Sequence, residues 1–148
     1  MKNIKIIFSI ISTIIVSLSF GQQTTKNVVL TKKAGLIVQI NGIKDTTGTM
    51  YVRLYDSKEN FNIKKTKWKR MIPVKKSQLL ISFDNLPIGS YAIICFQDIN
   101  DNKKLDFDSF MPTEPWGLSN NKTLMGPPTW NDAVFELKND KVVKIQLF

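Results

Sequence analysis

The sequence predicts an all-β fold, an antiparallel β-sandwich of six or seven strands, about seven, with one long ordered loop. Three observations carry this prediction. Apolar residues recur at every second position in short runs, turn-forming residues fill the gaps, and no stretch beyond residue 21 keeps a 3.6-residue period for three turns.

The chain opens with Lys2 and Lys5, continues through the apolar "IIFSIISTIIVSLSF", and reaches small residues at Ser19 and Gly21. A positive start, a short apolar centre and small side chains before a cut make a secretory signal peptide. Residues 1–21 are expected to be removed and residues 22–148 to form one exported domain, periplasmic or secreted. The apolar stretch is too short and wrongly flanked for an anchor, so no membrane insertion is expected after cleavage.

The strands follow in order. "LIVQI" sends Leu36, Val38 and Ile40 to one face, and "TMYVRLY" does the same with Met50, Val52 and Leu54 against Arg53. "NGIKDTTG" between them reads as a hairpin connection. "LLISF" aligns Leu79, Ile81 and Phe83. In "LPIGSY", Pro87 fixes one dihedral, Gly89 frees another, and Tyr91 enters the next strand. That strand, "YAIICF", is apolar on both faces, so it is expected to be central with its outer face covered. The cover expected is the segment 98–131, too long for an ordinary connection and supplied with Phe107, Phe110, Trp116, Leu118 and Trp130 to pack down. "AVFELK" aligns Phe135 and Leu137, "KNDK" is a tight turn, and "VVKIQLF" aligns Val143, Ile145 and Leu147.

Composition excludes whole classes of chemistry. There is no histidine, which removes histidine-activated nucleophiles and histidine-ligated metals. Cys95 is the single cysteine, so neither an internal disulfide nor a thiolate zinc site is available, and its apolar run predicts a buried, inert thiol. The formal charge is +9, but only Arg53 and Arg70 are arginine among 21 basic residues. Recognition of phosphates and bases favours arginine, and export removes nucleic acid as a partner. Between Ser57 and Lys76 the basic residues crowd around Trp68, a lysine-protected sheet edge in one reading and an anionic-glycan surface in the other.

The stretch "QDINDNKKLDFD" carries the candidate site. Asp98, Asn100 and Asn102 stand at positions 1, 3 and 5 of a calcium-loop pattern and Asp106 at position 9, with Lys104 contributing its carbonyl at position 7. Position 6 is Lys103 rather than glycine and position 12 is Ser109 rather than glutamate, leaving Asp108 or Glu114 as the extra ligand. The alternative is that these side chains bond their own backbone as Asx-turns and hold no ion. Asp106, Asp108 and Glu114 also form the acid set that a glycan hydrolase would need. Trp116, between the turn-makers of "EPWGLSN", is either core cover or a stacking platform for a ligand.

"FDNLPIGSYAIICFQDINDNKKLD" followed by "PTEPWGLSNN" resembles the bacterial family called domain of unknown function 2141. That family's pattern runs F-x-N-L-P-x-G-x-Y-A-I, H-D-x-N-x-N-G-x-L-D, P-x-E-P-x-G-x-S-N and P-x-F-x-x-A-x-F. The matching positions begin at Phe83, Asn85 and Tyr91, pass through Asp98, Asp106, Glu114 and Ser119, and end at Ala133 and Phe135. Gln97 replaces the usual histidine and Lys103 the usual glycine, the second making metal binding less secure than in relatives. The resemblance implies an exported prealbumin-like or immunoglobulin-like sandwich and no assigned activity.

The expectation is therefore a binding or structural module of the cell envelope, not an enzyme, with an envelope or extracellular partner and with Ca2+ as its one candidate cofactor. Two alternatives stand beside it. One is a glycan hydrolase working through its carboxylates, the other an adhesin for anionic glycans through the basic segment 64–76.

Overall fold

The computed structural model describes residues 32–148, so the expected signal peptide lies outside the described residues. The elements run β1 (Lys33–Asn41), β2 (Thr49–Tyr55), α1 (Lys58–Asn62), β3 (Trp68–Pro73), β4 (Leu79–Pro87), β5 (Gly89–Asp98), β6 (Phe107–Asp108), β7 (Met111–Pro112), β8 (Trp116–Leu118), α2 (Trp130–Ala133), β9 (Val134–Leu137) and β10 (Lys141–Gln146). They form a two-layer β-sandwich, as the alternation predicts. One sheet has the order β10-β1-β4, and the other β3-β2-β5-β8 with β9 also on β5.

The alternating residues face each other across the layers. Leu36, Val38 and Ile40 of β1, Met50, Val52 and Leu54 of β2, and Ile93 and Cys95 of β5 are buried in one cluster. Tyr91 closes one end, its hydroxyl donating to the Pro87 carbonyl at 2.7 Å across the turn. Asn85 takes the left-handed conformation (φ 57°) where the β1–β4 register shifts between Ala34 and Leu36, so the polar side chain sits where a bulge needs that backbone. The Cys95 thiol is wholly buried, and desolvation pushes its pKa up to about 12, the Gly117 carbonyl offsetting only part of this.

Three connections differ from the sequence reading. The segment between β1 and β2 is not a hairpin, because those strands lie in different sheets. The "KNDK" turn likewise carries the chain from one sheet to the other, from β9 to β10. And β10 pairs with β1 in parallel, with Val143 beside Val38 and Ile145 beside Ile40, although the remaining strand pairs are antiparallel. The reason is shared. Period-two alternation says which face of a strand is buried, and both sheets bury theirs in the same core.

β5 is central and covered on both faces, as its double apolar row requires. Its outer face carries Ala92, which packs with Tyr55, Phe61, Leu118 and Ala133 in a second cluster. The sequence reading placed this cover wholly in 98–131. The structure adds Phe61 from α1, whose ring meets Tyr55 at 5.2 Å and Trp130 at 6.1 Å, both edge to face. The basic segment beyond α1 forms β3, an edge strand on which Lys69 and Arg70 are exposed, which is the protected-edge arrangement.

Candidate ligand groove

The loop that follows β5 is shaped by its own oxygens. Asp98, fully buried, accepts the Asn102 amide on Oδ1 at 3.1 Å and the Lys103 amide on Oδ2 at 2.8 Å. Asn100 Oδ1 accepts the Asn102 amide at 3.1 Å, and Asn102 Oδ1 the Lys104 amide at 2.9 Å. The side-chain amides of Asn100 and Asn102 then both donate to Asp106 Oδ2 at 2.7 Å. Glu114, buried, closes the loop from its far end, Oε1 taking the Ile99 amide at 2.8 Å and Oε2 the Asp106 amide at 3.3 Å. Asp101 and Lys103 adopt positive φ (60° and 66°) to complete the curl.

This arrangement brings together five of the predicted residues: Asp98, Asn100, Asn102, Asp106 and Glu114. Lys104 enters through its amide, and Asp108 stands apart, exposed on the β6–β7 hairpin. As donors to calcium the set fits poorly. Both Asn amide nitrogens, not oxygens, face Asp106, and each carboxylate oxygen of Asp98 and Glu114 already accepts one backbone amide. Among the described residues no group of three or more His, Cys, Asp or Glu gathers in metal-binding geometry. The side-chain amides of Asn100 and Asn102 hold the Asp106 carboxyl below its usual pKa.

"WGLSNN" fastens the cover to the sheet. β5 changes edge partner along its length, pairing with β9 up to Ala92 and with β8 from Ile94. Ser119 fills the seam between them: its hydroxyl accepts the Ile93 amide at 3.1 Å and donates to the Ala133 carbonyl. Asn120 donates to the Val134 carbonyl at 3.0 Å, and Asn121 bonds both Lys144 and Gln146 of β10 at 2.9 and 2.7 Å. Gly117 lets β8 pass β10, since a Cβ there would stand 2.7 Å from Ile145 and 2.9 Å from the Gln146 carbonyl. Farther out, Asp132 accepts from the Thr129 amide and hydroxyl and pairs with Lys122 at 3.1 Å, which together lower its pKa to about 2.

Between this fastened cover and the self-closed loop lies a groove of about 710 Å3. Its floor is the outer face of β5, Ile94 and Phe96, flanked by Tyr55 and Phe61. Trp116 and Leu124 form the side belonging to the cover, and the β6–β7 hairpin forms the opposite wall. The sequence reading had Phe107 and Phe110 packing down. They stand instead 58% and 81% exposed on that hairpin, and they line the groove without filling it. Trp116 is half-buried: it packs on the second cluster, lies 5.9 Å from the Phe148 ring, and also lines the groove, so core cover and groove wall are the same residue.

The sequence reading missed Arg53, Phe61, Phe96 and Lys103 as groove residues. Ser57 was the available signal for Phe61, since its hydroxyl caps α1 by accepting the Asn60 amide at 3.1 Å. Arg53 has its guanidinium carbon 5.9 Å from the Phe96 ring centroid, a relation that register alone sets up by opposing Arg53 to Ile94.

Fold and groove define a two-layer β-sandwich module with an apolar cleft on its outer face. Residues 38–146 match a family described as "Uncharacterized protein conserved in bacteria (DUF2141)", and the chain belongs to that family. No curated protein and no solved structure matches the chain.

Proposed function

We propose that the protein is an exported, non-catalytic binding module of the cell envelope, with its ligand held in the groove between β5 and the segment 98–131. One observation carries this reading: an apolar groove of about 710 Å3, within the roughly 300–1,000 Å3 of small-molecule sites, walled by aromatics and by no carboxylate. The state of the acids favours binding over hydrolysis. A glycosidase acid needs a raised pKa, whereas that of Asp106 is lowered, and both Glu114 oxygens are committed to backbone amides. The glycan-adhesin alternative is less supported. Lys67 lies 4.3 Å over the Trp68 ring, so the protein's own cation covers the aromatic face of this segment on which a sugar would stack.

The test is a neutral, environment-sensitive dye such as Nile red. The protein is expected to enhance and blue-shift its emission saturably, and Phe107→Ser/Phe110→Ser to weaken binding severalfold without lowering the melting temperature, both residues being exposed. Equal dye binding by the double variant would place the site elsewhere and end the reading.

We further propose that the loop needs no calcium, because its oxygens already satisfy its amides. The melting temperature is expected to be the same in millimolar calcium and in chelator. An ion present at 100 times its dissociation constant would add about 2.7 kcal/mol, so a rise of that size with calcium would restore the ion.

A further inference from the structure

The groove's charges narrow what it can hold. Arg53, Lys64, Lys103 and Lys104 line it along with the aromatic and aliphatic side chains, and no Asp or Glu does. Among the described residues none of these four cations has a carboxylate within 4.0 Å; the ion pair present is Lys122–Asp132. Two of the four are held in place by specific structure. Arg53 lies beside the Phe96 ring that forms the floor. Lys103 is kept at φ 66°, a left-handed conformation disfavoured for a residue with a Cβ, by the Asp98 bond to its amide. An apolar cleft bordered by unpaired cations is complementary to a ligand with an apolar body and one anionic head.

Resting on the reading of the groove as a ligand site, we infer that its occupant is a monomeric long-chain carboxylate, a free fatty acid. The acyl chain lies along Ile94, Phe96 and Trp116, under the β6–β7 hairpin. The carboxylate sits at the mouth among Arg53, Lys103 and Lys104, where it accepts charge-assisted hydrogen bonds. Each methylene removed from water tightens binding about fourfold, so affinity rises with chain length until the groove is filled. No peptide is needed to explain the shape, and the cations separate this occupant from a neutral lipid.

The experiment compares palmitic acid with its methyl ester, which has the same chain and no charge, each titrated into the purified protein as competitor of bound Nile red. The acid is expected to bind one to one and about tenfold more tightly than the ester. In Lys103→Gln/Lys104→Gln the acid-to-ester ratio is expected to fall toward one, a ratio that a merely destabilised chain would leave unchanged. Equal affinities for acid and ester in the unaltered protein, with dye still bound, would overturn the fatty acid and leave the groove a neutral site. Cosedimentation with anionic phospholipid vesicles, without one-to-one uptake of the free acid, would overturn it in favour of a membrane surface. Absence of dye binding at all would instead sink the reading on which it rests.

Discussion

Gly48→Ala is expected to lower stability by about 2–5 kcal/mol, a large share of what a domain of this size possesses. Two costs add. Gly48 has φ +69°, and a side chain in that left-handed region is strained by roughly 1–2 kcal/mol. The new Cβ would also fall on the Asp98 carbonyl oxygen, with Asp98 C and Ile99 Cα at 2.9 Å, all of it backbone that cannot rotate away. Relief would require parting β2 from β5 where Thr49 pairs with Asp98, and overpacking of this kind typically costs another 1–3 kcal/mol. Chemical denaturation checks it. A midpoint within error of the unaltered protein's would mean that the strands are not as closely apposed as described.

Asp98→Ala is expected to open the loop and with it the groove. The carboxylate is fully buried and accepts the amides of Asn102 and Lys103, so its loss leaves the Lys103 amide without its partner, at about 1–3 kcal/mol, and the Asn102 amide with Asn100 Oδ1 alone. The damage spreads, because Lys103 then has nothing to hold it in the left-handed region and the Asn102 bond to Asp106 loses its geometry. Limited trypsin digestion reads this directly. The unaltered protein is expected to resist cleavage after Lys103 and Lys104 and the variant to be cut there first, with Nile red binding reduced in parallel. Asp98→Asn keeps one acceptor oxygen and should fall between the two. A variant as resistant as the parent would show that the loop does not depend on this carboxylate. Glu114 closes the same loop from its other end, so its effects are coupled to those of Asp98 and will not simply add.

The groove explains why this stretch of chain is so polar and yet so ordered. A loop that borders an open groove must keep its shape without a hydrophobic core beneath it. Side-chain oxygens from Asp98, Asn100, Asn102 and Glu114 supply the bonds that packing cannot, and they leave Phe107 and Phe110 free to face outward from the hairpin. Gln97, next to this loop, does similar work for the β1–β2 connection: its side-chain nitrogen donates to the Asp45 and Thr47 carbonyls at 2.7 and 2.8 Å.

Much of the fold was legible before any coordinates. Leu36, Val38 and Ile40, or Val143, Ile145 and Leu147, announced their buried faces because a strand's side chains alternate whatever lies around them. "YAIICF" announced a covered strand because two apolar rows cannot both face the same core. The spacing of Asp98, Asn100, Asn102 and Asp106 announced a curled loop, since oxygens at alternate positions reach back to amides two to five residues on. Pairing was different. That β10 runs parallel to β1, that Phe61 crosses to Trp130, and that Arg53 meets Phe96 beside Lys103 are decided by where separate segments come to rest. Local chemistry sets what each segment must bury and bond. Only the closure of the whole chain around a common core settles which distant partners satisfy those needs, and the groove exists because, beside β5, the satisfaction is incomplete.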